Sequence, residues 1–359
     1  MRTCMGRRPA PYIALIFLDN IFLSFIIVSI LMASSSSKSA VAAAPTDSSA
    51  AVLIRVDQSG LGDFTTIQAA IDAVPSNNEE YVFIWVKPGV YREKIVVPAD
   101  KPYITLSGTQ ATDTIITWND GESIYESPTV SILASDFVGR YLTFENYYGS
   151  RGKGVALRVS GDKAAFYSCR ILSFQDTLLD DIGRHYYSNC YIEGATDFIC
   201  GNAASLFEKC HLHSINEIGY ATITAQKRTT PWENTGFIFL GCKITGVGVH
   251  TALLGRPWGT YSRVIYAYSF ISSTIAPQGW DNWGDVNKES TAFYGEYKCY
   301  GAGASREKRV NWSKRLTSEE AAPFLSKDMI GGRGWLRPAP TNFIIGFSND
   351  VALVSEPKE

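Results

Sequence analysis

The chain has 359 residues, of which 45% are hydrophobic, 13% aromatic and 19% charged. This balance excludes a disordered, collagenous or low-complexity chain, because enough apolar surface is present to offset the entropy of ordering. A formal net charge of −2 is not the basic surface that nucleic-acid binding rewards, and the aromatic richness favours strands.

Arg2, Arg7 and Arg8 open the chain, an apolar run follows from Ile21 to Ala33, and small residues dominate 34–44. A basic start, an apolar middle and small residues for cleavage are the layout of a secretory signal peptide. The uninterrupted apolar run is 13 residues, short of the roughly 20 that a membrane-spanning helix needs. Residues 1–44 are therefore expected to be a signal peptide and small-residue segment, with an uncleaved anchor as the alternative, and 45–359 the folded domain. Without 1–44 the chain holds 29 basic and 34 acidic residues, a net charge of −5. That acidic body still allows local cations to hold carboxylates.

Asp63 is placed to cap a short helix over Phe64–Val74, whose Phe64, Ile67, Ile71 and Val74 share one face and which Pro75 ends. Such a helix suits the open end of a core. Strands are expected at Tyr81–Lys87, Tyr103–Ser107 and Thr129–Leu133.

The middle of the chain repeats itself. Phe166-Tyr-Ser-Cys169-Arg-Ile171 is matched by Tyr187-Ser-Asn-Cys190-Tyr-Ile192, Phe207-Glu-Lys-Cys210-His-Leu212 and Phe239-Leu-Gly-Cys242-Lys-Ile244. The first three cysteines are 21 and 20 residues apart, and the next step of 32 carries a long loop near Pro231. A period near 21 without helical patterning predicts a parallel β-solenoid, whose coils bury their inner faces by stacking. Six cysteines after the leader allow a disulfide framework. Their one-per-coil placement favours an internal ladder of buried thiols. From about Arg306 the chain is more charged, with a helical stretch at Ser318–Leu325, and reads as a cap packed on the solenoid.

The repeat also places two acids. Asp176 and Asp197 each lie seven residues after a cysteine, so they occupy one position of adjacent coils. Neighbouring strands are about 4.8 Å apart, and two carboxylates so close push each other's proton affinities apart. One then serves as a protonated acid while the other acts as a charged nucleophile or base. Gln175 offers an amide to a developing oxyanion, Arg256 a bidentate partner for a carboxylate, and Trp258 a flat ring for a sugar. The four histidines form no triad, no Gly-x-Ser-x-Gly elbow is present, and His211-x-His213 lacks a third ligand, so no metal is expected.

Gly89-Val-Tyr-Arg-Glu93, Val155–Lys163, Phe174-Gln-Asp-Thr-Leu178, Gly194-Ala-Thr-Asp-Phe-Ile-Cys-Gly201 and Leu254-Gly-Arg-Pro-Trp258 occur in this order. With them the chain resembles the plant pectin methylesterases from about Ile54 to Pro338, in the form without an N-terminal inhibitor-like domain. The resemblance implies an all-β fold, a right-handed parallel β-helix with short capping helices. It implies a secreted cell-wall enzyme, monomeric and without cofactor. That enzyme hydrolyses the C6 methyl esters of homogalacturonan to pectate and methanol, and a proteinaceous pectinesterase inhibitor is a candidate partner. By motif, Asp197 is the nucleophile, Asp176 the acid and then the base, and Gln175 an oxyanion donor. Arg256 holds Asp197, and Trp258 and Trp280 contact substrate.

Two positions depart from the family. Lys153 stands where the family carries a second oxyanion glutamine, and Cys200 where it carries Phe. A lysine there lowers the proton affinity of a nearby acid. The alternative reading is therefore a catalytically weakened pectin-binding wall protein. A polygalacturonase or lyase on the same solenoid is the third reading. Asn311-Trp-Ser313 is a candidate N-glycosylation sequon.

Overall fold

Strand Ala164–Tyr167 ends one residue after Phe166, Ser168 turns the chain at φ 51°, and Cys169 precedes strand Arg170–Leu172. The same left-handed corner recurs at Tyr141, Asn189, Lys209, Gly241, Tyr268 and Lys298, with φ between 49° and 63°. Only at Gly241 is this conformation free of Cβ cost; elsewhere the stacked coils on either side hold it.

In the computed structural model, residues 50–216 and 219–347 are described. The expected leader, 1–44, lies outside them. Each of the seven central coils contributes one strand to each of three sheets, and further strands at the ends bring these to twelve, seven and eight strands. Coil follows coil in parallel register: Leu178 pairs with Ile199, Ile199 with Thr224 and Thr224 with Gly255. The result is a parallel β-helix, with the right-handed winding that parallel crossovers adopt.

Inside, the repeat's aromatics form a column. Phe166, Tyr187, Phe207, Phe239 and Tyr266 follow one another at centroid spacings of 5.1, 4.6, 4.7 and 4.6 Å. Beside it run Cys169, Cys190, Cys210, Cys242 and Cys299, each a free thiol. Cys190, Cys210 and Cys242 each donate to the carbonyl of the preceding coil's aromatic, Phe166, Tyr187 and Phe207. The ladder, not a disulfide framework, is what these residues build. Ser269 takes the cysteine's place in the next coil, its Oγ 3.2 Å from Phe239 O.

The N-terminal helix is shorter than expected, Ile67–Asp72, and Thr66 is its N-cap. Asp63 pairs instead with Arg55 at 3.1 Å. The first-turn amides of Ile67 and Gln68 donate to the Glu93 carboxylate at 3.0 Å each, which gives the Gly89–Glu93 motif a structural role. Phe64 bridges to Val56 and packs only partly on the core. At the other end, helix Ser318–Ala321 carries a Thr317–Glu320 capping box. Leu316, Ala321, Ile330 and Trp335 cover Leu206, Ile238 and Ile265 on the outer face of the twelve-stranded sheet, so the C-terminal segment caps the solenoid's side.

A buried polar cluster ties the sheets together. Asp180 Oδ1 accepts from the Tyr187 hydroxyl at 2.7 Å and meets His185 Nδ1 at 2.6 Å, and Ser205 Oγ donates to Oδ2. The other His185 nitrogen lies 2.9 Å from Gly161 O. Within this cluster the Asp180 oxygens, both His185 nitrogens and the Tyr187 and Ser205 hydroxyls all have partners. His211 and His213 lie elsewhere and share the Thr245 hydroxyl, each at 2.7 Å.

Candidate active site

The seven-stranded sheet, from Ile95–Val97 to Ala252–Pro257, forms the floor of the site. Leu179, Cys200, Ala225 and Arg256 are register partners in successive coils. Just before these strands Gln175 bridges to Thr196, and Asp176 N donates to Thr196 O at 3.0 Å. The next residues in register are Asp176 and Asp197. Both adopt positive φ, 57° and 49°, a conformation that costs energy outside glycine and is held here by stacking. The turn leaves no room at Gly194, where an added Cβ would lie 2.3 Å from the Phe198 Cβ.

The two acids have different surroundings. Asp197 is clamped: Arg256 donates from Nε to Oδ1 at 2.9 Å and from Nη2 to Oδ2 at 2.6 Å, and the Thr222 hydroxyl donates to Oδ1 at 2.6 Å. Its own backbone N–H donates to Thr222 Oγ1 at 3.0 Å. Two oxygens that only accept, in a fork with guanidinium, are the pattern of a charged carboxylate. Asp176 has no such clamp and is 6% exposed. Burial, then the neighbouring Asp197 charge, pushes its carboxyl up to about 7, against the opposing pull of Lys153 and Arg256. One charged acid thus sits beside one that holds its proton near neutrality.

Above them is a pocket of about 220 Å³, into which Lys153, Gln175, Asp176, Asp197, Arg256 and Trp258 all face. The backbone bond from Gly154 N to Gln175 O, 3.1 Å, puts Lys153 on the coil next to Gln175. Cys200 lines the floor within a small cluster of Val155, Leu179 and Ala225. Trp280 is not among the lining residues. It is 1% exposed, packed between Tyr266 and Tyr294 at 5.9 and 4.4 Å. Its backbone pairs with Gly255, the inward neighbour of Arg256, so its ring belongs to the core and cannot meet a polysaccharide. The second tryptophan at the site, beside Trp258, is Trp283, whose ring lies 3.9 Å from the Arg256 guanidinium carbon. Sequence reasoning also missed Thr222 and Ile124. For Trp283 the signal was present, since Trp280-Asp-Asn-Trp283 offered two candidates three residues apart.

The arrangement suits acyl transfer: a clamped carboxylate for attack, a protonated acid for the leaving group, and amide and ammonium donors on the near wall.

Comparison with known proteins agrees. The family model described as Pectinesterase matches residues 53–333. The chain is 64% identical over 299 residues to putative pectinesterase 11 of Arabidopsis thaliana, covering 83% of this chain and 84% of that one. It is 45% identical over 302 residues to pectinesterase QRT1 of the same plant, covering 79% of each. Among solved structures, a pectin methylesterase from carrot superposes with a TM-score of 0.76 at 35% identity, covering 84% of this chain and 96% of that one.

Proposed function

The chain belongs to the pectinesterase family, and on that premise we propose that it removes methyl esters from homogalacturonan, with Asp197 as nucleophile and Asp176 as acid and base. The observation that carries the assignment is the contrast between the two acids, one forked to Arg256 and one raised to about 7.

The Asp197 carboxylate attacks the C6 carbonyl carbon. Negative charge develops on the carbonyl oxygen, towards the Gln175 amide and the Lys153 ammonium. As the C–O bond to methoxide breaks, Asp176 delivers its proton and methanol leaves. The remaining acyl-enzyme is an anhydride. Asp176, now charged, takes a proton from water, whose oxygen attacks the same carbon. The anhydride opens to a free C6 carboxylic acid, which gives its proton to solvent, Asp197 is released charged, and Asp176 holds a proton again. Trp258 and Trp283 flank the pocket as apolar walls for the sugar. The signal-like N-terminus and a wall polymer as substrate make this an extracellular protein of the cell wall.

The test is methanol release from highly methylated pectin. Methanol is expected to appear with an equal number of new carboxylates and without new reducing ends. Reducing ends without methanol would replace this reading by a glycosidic one.

Lys153 bears on the weakened-enzyme reading. Because its charge pulls Asp176 down, Lys153→Gln should raise the Asp176 carboxyl further. The alkaline limb of the pH–rate profile should therefore move to higher pH. A large rise in turnover at every pH would show that the lysine weakens the enzyme. An unmoved limb would mean that its charge does not reach the acid during turnover.

A further inference from the structure

The loop joining strands Ala221–Gln226 and Gly236–Leu240 is braced throughout its length, yet it presents Trp232 at 79% exposure. Buried Arg228 donates from Nε to Glu233 O at 2.8 Å, from Nη1 to Tyr261 O at 3.0 Å, and from Nη2 to Pro231 O. The Glu233 carboxylate accepts from the backbone and hydroxyl of both Thr229 and Thr230 and, at 2.7 Å, from the Asn202 amide. A lone exposed apolar side chain is ordinary on a protein surface. An indole held towards water by a backbone fixed on both sides, in a loop that starts at a ring lining the substrate pocket, is not.

The loop's anchors lead to the pocket. Its first residue, Lys227, lies with Nζ 4.5 Å from the Trp258 ring, and Asn202 follows Cys200 by two residues. Trp258 and Cys200 both line the pocket. Relying on the reading of that pocket as a pectin esterase site, we propose that Trp232 is a stacking platform for a further galacturonate ring of the polymer, outside the reacting subsite. The C–H face of a pyranose carries partial positive charge and the indole face partial negative charge, so the two stack. Lys227, beside Trp258, supplies the cation that a galacturonate carboxylate prefers.

Trp232→Ala in the full chain tests this, since removing an exposed ring opens no cavity. KM for methylated pectin should rise roughly fivefold, the low end of one ring's stacking on an aromatic face. The ratio of KM for a methyl-esterified trigalacturonate to KM for the polymer should fall by the same factor, and Trp232→Phe should recover most of it. An unchanged ratio overturns the proposal. Retardation in gels containing polygalacturonate reads the same contact without turnover, and Trp232→Ala should be retarded less than wild type. Lost retardation in a protein that releases no methanol would leave the platform standing and remove the esterase reading. Methanol release with ratio and retardation both unchanged would do the reverse.

Discussion

Asp197→Asn is expected to lower kcat for methanol release by about 10⁴-fold, the scale seen when a covalent nucleophile is removed. The amide keeps the volume of the carboxylate. Its oxygen still accepts from Arg256 or Thr222, which now hold Asp197 within 2.6–2.9 Å. What it lacks is the charge that attacks and the second oxygen of the fork. Arg256 would keep a half-buried positive charge with a neutral partner, so some stability should be lost. That guanidinium is 27% exposed and faces the Trp283 ring, so the loss should fall below the 3–5 kcal/mol or so seen for fully buried broken pairs. Methanol assays and urea unfolding on the same preparation separate the two effects. A kcat within tenfold of wild type in a folded variant would remove Asp197 from the chemistry.

The solenoid was legible because its coils are written in residues that serve the interior. The aromatic column and the thiol ladder each need one side chain per turn, so their spacing is the coil length. The pattern fails where another side chain fills the same role. Ser269 replaces a cysteine and makes the same bond to the preceding coil's carbonyl. Glu296 stands where the next aromatic would stand and holds Arg306 and Arg309 instead. A polar residue there reads as the end of the repeat, although the coil continues through Cys299, whose thiol still donates to Tyr266 O at 3.3 Å.

The acid pair was legible for the same reason, as equal offsets from Cys169 and Cys190. Thr222 was not, because its coil is longer, and Ile199 pairs with Thr224 25 residues on instead of about 21. Offset counting stops at such a loop. That Trp283 and not Trp280 meets the site turns on which face of the sheet each ring takes. That is fixed by pairing with Gly255, a register no local pattern reveals. The Asp180, His185, Tyr187 and Ser205 cluster was likewise hidden, since polar residues in sequence read as surface until their partners are brought to them.

Asp176→Asn should separate stability from activity in opposite directions. As proton donor and acceptor Asp176 is expected to contribute 10²–10⁴-fold or so to kcat, and an amide does neither task. The stability effect has a definite sign. The unfolded carboxyl titrates near 3.9, the folded one at about 7. Between those values the folded state holds a proton that the unfolded state releases, so the folded protein loses stability as pH rises through this window. The full penalty, present above about pH 7, is about 4 kcal/mol at 1.36 kcal/mol per unit. Asparagine carries no such penalty. The variant's advantage in urea unfolding should therefore grow by about 3 kcal/mol between pH 5 and pH 8, a comparison in which pH-independent effects of the substitution cancel. The same titration in the wild type should make kcat/KM for methanol release decline above about pH 7, as the acid loses its proton before it can give it to methoxide. An advantage that does not change with pH would mean that Asp176 is not held protonated by burial and by its neighbour. The division of labour between the two aspartates would then have to come from another source.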